Sequence, residues 1–143
     1  MSPSPFPDPS SPVSRHNPPT LWDMAANGFS QISVAEPGRL AFLSGQVASQ
    51  PDGAALPSDV SGQARSATAS LAAALEHLDA SARDIVMLRI YVVDATTERF
   101  GQVLAEIRKM LGSEMPSVTT IGVQALFTPE ILVEVEMVVR VPA

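Results

Sequence analysis

From Ile131 to Val141 the chain alternates without interruption. Ile131, Val133, Val135, Met137, Val139 and Val141 fall on one set, and Leu132, Glu134, Glu136, Val138 and Arg140 on the other. Successive side chains of a strand point to opposite faces, so this segment reads as a strand with one wholly apolar face and one mixed face. The apolar face needs a covering layer. The mixed face, with carboxylates among aliphatics, is too apolar for water and too polar for a simple core. That combination predicts burial against other subunits.

Two segments can supply the covering layer. Val60, Ala64, Ala67, Leu71, Leu75 and Leu78 recur at steps of 4, 3, 4, 4 and 3, the pattern of a helix that buries one face. Pro57-Ser58-Asp59 marks its start, with Ser58 as candidate N-cap. Thr96-Thr97-Glu98 opens a second helix, whose stripe is Phe100, Val103, Leu104, Ile107 and Leu111 and whose stop is Gly112. Between them, Ile85 to Val93 is apolar on both alternating sets, broken mainly by Arg89, as suits a central strand covered on both faces. Ser117 to Val123 is β-branched and reads as a further strand. Upstream, Phe29–Val34 and Arg39–Gln46 flank the turn signal Glu36-Pro37-Gly38 and read as a hairpin. The order is β-β-α-β-α-β-β. It predicts a two-layer α+β domain, a mixed sheet with two helices on one face.

Residues 1–19 hold seven of the thirteen prolines. Proline lacks an N–H and fixes φ, so this stretch reads as an extended or disordered tail rather than a helix or central strand. Order is expected to begin near Phe29. The predicted division is a Pro/Ser-rich tail over 1–26 and a domain over 27–143. A docking segment is the alternative reading of the tail.

Composition narrows the function. A length of 143 residues suits one domain. With no cysteine there is no disulfide framework, Cys-ligated zinc or thiol nucleophile, and His16 and His77 lie too far apart in sequence to suggest a metal site. No cofactor is expected. The net charge is −6 and the only adjacent basic pair is Arg108-Lys109, which argues against a nucleic-acid groove. No apolar run reaches the ~18–20 residues of a membrane span, and no secretory pattern opens the chain, so a cytoplasmic protein is expected.

Five segments then point to a family. They are Asn27-Gly28-Phe29-Ser30-Gln31, Leu43-Ser44-Gly45-Gln46-Val47, Gln63-Ala64-Arg65, Ile85-Val86 leading to Val92-Val93-Asp94, and Val133-Glu134-Val135-Glu136. In this order and spacing the chain resembles the RidA (YjgF) family from about Asn27 to Val141. The resemblance implies a chorismate-mutase-like fold and a homotrimer that binds a small molecule in clefts between subunits. In deaminating members an arginine two residues after a strand-opening proline holds the carboxylate of a 2-imino acid, while water attacks the imine and releases ammonia. Here Pro116 is followed by Ser117 and Val118, so valine stands at the arginine position. Thr120 aligns with a cleft residue that is often cysteine. Leu104 and Ile107 align with an asparagine and a tyrosine. Glu134 and the aromatic Phe29 are retained.

Each residue has a structural reading beside the functional one. A charge-assisted pair contributes ~1.5–3 kcal/mol when fully formed, and Val118 cannot make it. Efficient deamination of amino-acid imines is therefore not expected, and a neutral or weakly polar ligand is. Glu134 is the candidate general base, or else an acceptor for backbone N–H groups across the interface. Glu136 is read as structural. Thr120 shares the alternation set of Val118 and should reach the cleft as a hydrogen-bonding group. Gly45 allows close approach of a ligand or of a neighbouring subunit. Phe29 lids the cleft or staples the core. Arg89 and Arg140 are candidate replacement cations, or else solvated; His77 reads as a surface residue. An imine or enamine deaminase acting on a less anionic substrate is the alternative function. Ribonuclease activity, attached to some relatives, is disfavoured by the acidic charge.

Overall fold

The computed structural model describes residues 11–143. Eight principal elements follow one another: β1 (Val13–His16), β2 (Ile32–Ala35), β3 (Leu40–Gln46), α1 (Val60–His77), β4 (Ile85–Val93), α2 (Thr97–Leu111), β5 (Ser117–Val123) and β6 (Val133–Arg140). From β2 onward this is the predicted succession. The main sheet has the order β3-β6-β4-β5, with β4 and β5 parallel and the other pairs antiparallel. Between Leu43 and Gln46 the β3–β6 register shifts, which marks a bulge.

The alternation of β6 sets the layering. Val133, Val135, Met137 and Val139 are buried with Leu88, Ile90 and Val92 of β4 and with Leu71, Leu75, Val103, Ile107 and Leu111 of the helices. The two helices pack on each other and cover this face. Arg65 of α1 reaches Glu106 of α2 at 3.3 Å, and Lys109 meets the same carboxylate at 3.0 Å. The bond from Lys109, with help from Arg65, holds the Glu106 carboxyl below its ordinary range despite some desolvation.

Several expectations need correction. Helix α1 is capped by Asp59, not Ser58: the Asp59 carboxylate accepts from the Gly62 N–H at 2.9 Å and the helix opens at Val60. The hairpin between β2 and β3 does not form. Strand β2 pairs with β1 in a sheet of its own, and β3 pairs with β6. Arg140 lies at the connection between β2 and β3. Its guanidinium donates to the carbonyls of Pro37 at 2.6 Å and Glu36 at 3.4 Å, occupying the turn that would join the two strands.

Order also begins before Phe29. Of the expected tail, residues 1–10 lie outside the described residues. Val13 is buried, and Arg15 donates to the Ser33 hydroxyl at 3.1 Å. That hydroxyl also accepts from the Ser117 N–H at 3.2 Å, so its own proton is free for the Ser117 Oγ at 2.8 Å. Glu114 faces the Arg15 guanidinium at 3.8 Å. Burial pulls Arg15 below its ordinary pKa, and the charges of Glu114 and Asp84 oppose that. Proline bars the interior of a sheet, but the four residues between Pro12 and Pro18 that pair with β2 are all non-proline.

Candidate functional site

A pocket opens at the β5 edge of the main sheet, between that strand, α2 and the segment preceding β2. Its volume is about 360 Å³, and its walls are Met24, Asn27, Phe29, Gly101, Leu104, Ala105, Arg108, Val118 and Thr120. Strand alternation and sheet register explain the β5 contribution. Val118 lies opposite Leu88 and Thr120 opposite Ile90, so both share the face that the helices cover. Strand β5 is the last of the sheet, and the space beyond it stays open. Helix α2 contributes Gly101, Leu104, Ala105 and Arg108, related by steps of 3, 4 and 7, the spacing of one helical face. A turn at Ala25–Asn27, ended by Gly28 at φ 84°, carries Met24, Asn27 and Phe29 to the third side.

Four of the residues singled out from sequence, Phe29, Leu104, Val118 and Thr120, therefore meet. Phe29 is only 4% exposed, so its ring belongs to the wall and core rather than to a mobile lid. Ile107 does not join them. It is fully buried among the core residues of α1, β4 and β6, one helical step away from the face that carries Leu104 and Arg108. Gly45 and Glu134 form a separate pair. A methyl group on Gly45 would overlap the Glu134 side chain as it stands, so any larger residue there would displace that carboxylate. Glu134 lies opposite Tyr91 on the face of the sheet away from the helices, whereas Val118 and Thr120 lie on the helix side. Within the chain the two groups do not meet.

That outer face also carries Glu136, which accepts from Tyr91 Oη and pairs with Arg89 at 3.3 Å. The tyrosine hydrogen bond holds the Glu136 carboxyl below its ordinary range and raises the Tyr91 hydroxyl. Phe42 borders this cluster with 75% of its surface exposed, and Leu40 lies further along β3, opposite Arg140. Arg89 is thus engaged with Glu136, and Arg140 with the carbonyls of Glu36, Pro37 and Val141; neither lines the pocket. The arginine that does is Arg108, which the sequence reading passed over. Its signal was available: it follows Leu104 by four residues on a helix already placed at the cleft. Met24 was missed because it falls in the segment read as a tail, and Asn27 was named only as part of the entry motif.

Among the described residues no cluster of three or more His, Cys, Asp or Glu side chains could hold a metal, and no helix is long and apolar enough to cross a membrane.

The fold and site define a class: a small α+β domain with two helices on one sheet face, a pocket at the sheet edge and a partly apolar opposite face. The family described as endoribonuclease L-PSP matches residues 22–141. YyfB of Yersinia pestis, a structure from the conserved Rid protein family, is 30% identical, with a TM-score of 0.84 over 90% of this chain and 98% of that one. Rv2704 of Mycobacterium tuberculosis, a member of the YjgF/YER057c/UK114 family, is 27% identical, with a TM-score of 0.61 over 82% and 91%. RidA of the Antarctic bacterium Psychrobacter, 21% identical over 78% and 87%, shares the fold with a TM-score of 0.64. No curated protein gives a match. The chain belongs to the Rid family, also called YjgF/YER057c/UK114 or endoribonuclease L-PSP.

Proposed function

We propose that this chain is a homotrimeric member of the family that binds a small metabolite in clefts between subunits. In this reading it is not an efficient 2-imino acid deaminase. The observation that carries the second statement is Val118, which lines the pocket at the strand position where the resemblance implies an arginine. Arg108 does not restore that anchor in place. It comes from helix α2, on another wall, and a misplacement of ~1 Å in a reacting group can cost ~100-fold in rate. Leu104, in place of a polar helix residue, offers nothing to a water or an imine nitrogen. The single arginine and the net charge of −6 also suit a small ligand better than a phosphate chain.

The trimer is supported by the two separated groups of cleft residues. Phe29, Val118 and Thr120 of one subunit can share a cleft with Gly45 and Glu134 only if the latter come from a neighbour. The outer sheet face, with Phe42 and Leu40 exposed, is the surface such an assembly would bury. Sedimentation at micromolar concentration is expected to give one species of about three 15.1 kDa chains. A stable monomer would remove the basis for a shared cleft.

Chemistry is tested separately. With an amino-acid oxidase generating 2-iminopropanoate in situ, the wild-type chain is expected to leave keto-acid formation near the uncatalysed rate. Val118→Arg is expected to raise it, short of full recovery because Leu104 remains apolar. Robust wild-type turnover would overturn the reading of Val118.

A further inference from the structure

Asn27 is followed by Gly28, the pairing in which a backbone nitrogen most readily reaches a side-chain carboxamide, because glycine has no Cβ to stand in the way. The chain has two asparagines, and the other, Asn17, precedes Pro18, whose nitrogen carries no proton. Asn27 ends the short turn Ala25–Asn27 and is exposed. Among the described residues its carboxamide makes one weak contact, from Nδ2 to the Met24 sulfur at 3.9 Å. Gly28 closes the turn at φ 84°. Its amide donates to the Ala25 carbonyl at 2.9 Å, so this bond has to open before the nitrogen can turn on its neighbour. One backbone bond in a single turn slows such an opening by about ten-fold and does not forbid it.

Arg108 stands beside that nitrogen. Its guanidinium lies against Gly28, so that a Cβ there would sit 3.0 Å from Nε, 3.1 Å from Cζ and 3.2 Å from Nη2. Arg108 takes part in none of the ion pairs among the described residues. Glu114 shares the recess at the end of α2 with Arg108 and Gly28, and it faces Arg15 at 3.8 Å. A positive charge without an ion-pair partner is therefore seated against the residue whose amide must lose its proton.

We infer that Asn27 is a site of self-modification, converted by attack of the Gly28 nitrogen with the help of the Arg108 charge. The nitrogen gives its proton to hydroxide and bonds to Asn27 Cγ. The Cγ–Nδ2 bond breaks, and Nδ2 takes a proton from water and leaves as ammonia, which restores the hydroxide. A water molecule then opens the five-membered imide at either carbonyl, leaving aspartate or an isoaspartyl link at position 27. In sum one water is consumed and one ammonia released. Arg108 stabilises the negative charge first on the nitrogen and then on the carboxamide oxygen. The product puts a carboxylate into the wall that Asn27 shares with Arg108, in a pocket whose lining has none. The isoaspartyl form also lengthens the backbone two residues before Phe29. The pocket thus has a fresh form and an aged form that differ in charge and shape, whatever it binds.

The test ages the full-length chain in warm, mildly alkaline buffer beside a free peptide of residues 22–31, and follows both by peptide mapping with mass spectrometry and by isoaspartyl methyltransferase labelling. Position 27 of the folded chain is expected to convert within about ten-fold of the peptide's rate, the factor set by the turn bond. Under denaturing ion exchange two more acidic species should appear, one eluting with Asn27→Asp. Arg108→Gln is expected to slow the conversion about five-fold, the effect of one unit charge ~4 Å away in water, whereas Arg108→Lys should keep most of the rate. Asn27→Gln should stay intact, because its ring closure is slower. Unchanged melting curves show that the variants are compared in the folded state. A position 27 that is still wholly amide when the peptide is fully converted overturns the site. An equal or faster rate in Arg108→Gln overturns the part assigned to the arginine, since it would then shield the turn or leave it untouched.

Discussion

Replacing Gln63 by alanine is expected to lower the stability of the fold by ~3–5 kcal/mol, from the desolvation of partners left unpaired and the cavity formed. Gln63 is 1% exposed and spends its whole amide on the backbone. Its Nε2 donates to the carbonyls of Glu130 at 2.7 Å and Pro57 at 2.9 Å, and its Oε1 accepts from the Leu132 N–H at 2.8 Å. The side chain thus fastens the start of α1 to the loop that delivers β6. Alanine would strand one N–H and leave two carbonyls without this donor. Gln63→Glu is expected to do no better, since it keeps the acceptor but turns a carboxylate oxygen on two carbonyl oxygens. Urea denaturation reads both. A loss below ~1 kcal/mol, the net value of one ordinary hydrogen bond, would show that the three bonds are not what fixes this junction. Glu134 begins the outer-facing series of β6 two residues beyond Leu132, so the same substitutions should also loosen its placement.

Deleting residues 1–18 is the second large effect. It removes β1, and with it the buried Val13 and the Arg15 contacts to Ser33 and Glu114. A buried valine contributes ~1.5–3 kcal/mol, and the strand pairing adds to that. A fall of ~10 °C in melting temperature is expected, at ~3–5 °C per kcal/mol for a domain of this size. The effect should reach the pocket, because Ser33 hydrogen-bonds Ser117, the neighbour of Val118, and because the Ala25–Asn27 turn is anchored between β1 and β2. Arg15→Ala alone should reproduce part of the loss. A truncated chain with the melting curve of the full one would return this segment to the status of a solvated tail.

The sequence was most legible where one element buries one face. The alternation of β6 and the two helical stripes announce their partner layer, and most of the residues that those patterns select lie in or against the core, whereas of β4 only Ile85, Leu88, Ile90 and Val92 do so and Met87, Tyr91 and Val93 are half-buried. Three things were less legible, for separate reasons. Strand β1 has four residues, too few for a period, and prolines on both sides argue against it. Alternation sorts the residues of one strand into two faces but does not say which set of a second strand shares a face with them. The separation of Glu134 from Val118 therefore required the register of β6, β4 and β5. Positions carried over singly from a resemblance also ignore the face they belong to. Leu104 and Ile107 aligned side by side with polar residues, yet one lines the pocket and the other fills the core, while Arg108 on the pocket face went unconsidered.

The main sheet is open at both ends, and that bears on how the chain behaves when crowded with copies of itself. Among the described residues, strand β5 is bridged on its free side only at its first residue, where Ser30 pairs with Ser117. Beyond it, Val118 to Val123 presents backbone donors and acceptors that a foreign strand could take up, and β3 presents another such row at the far end. Docking β5 of one molecule on β3 of the next would build an open-ended ribbon instead of a closed ring. The register shift between Leu43 and Gln46 works against this, because it bends the β3 rim after only four evenly paired residues. Gly45 sits in that bend. An irregular rim of this kind is a poorer template for a further strand than a flat one.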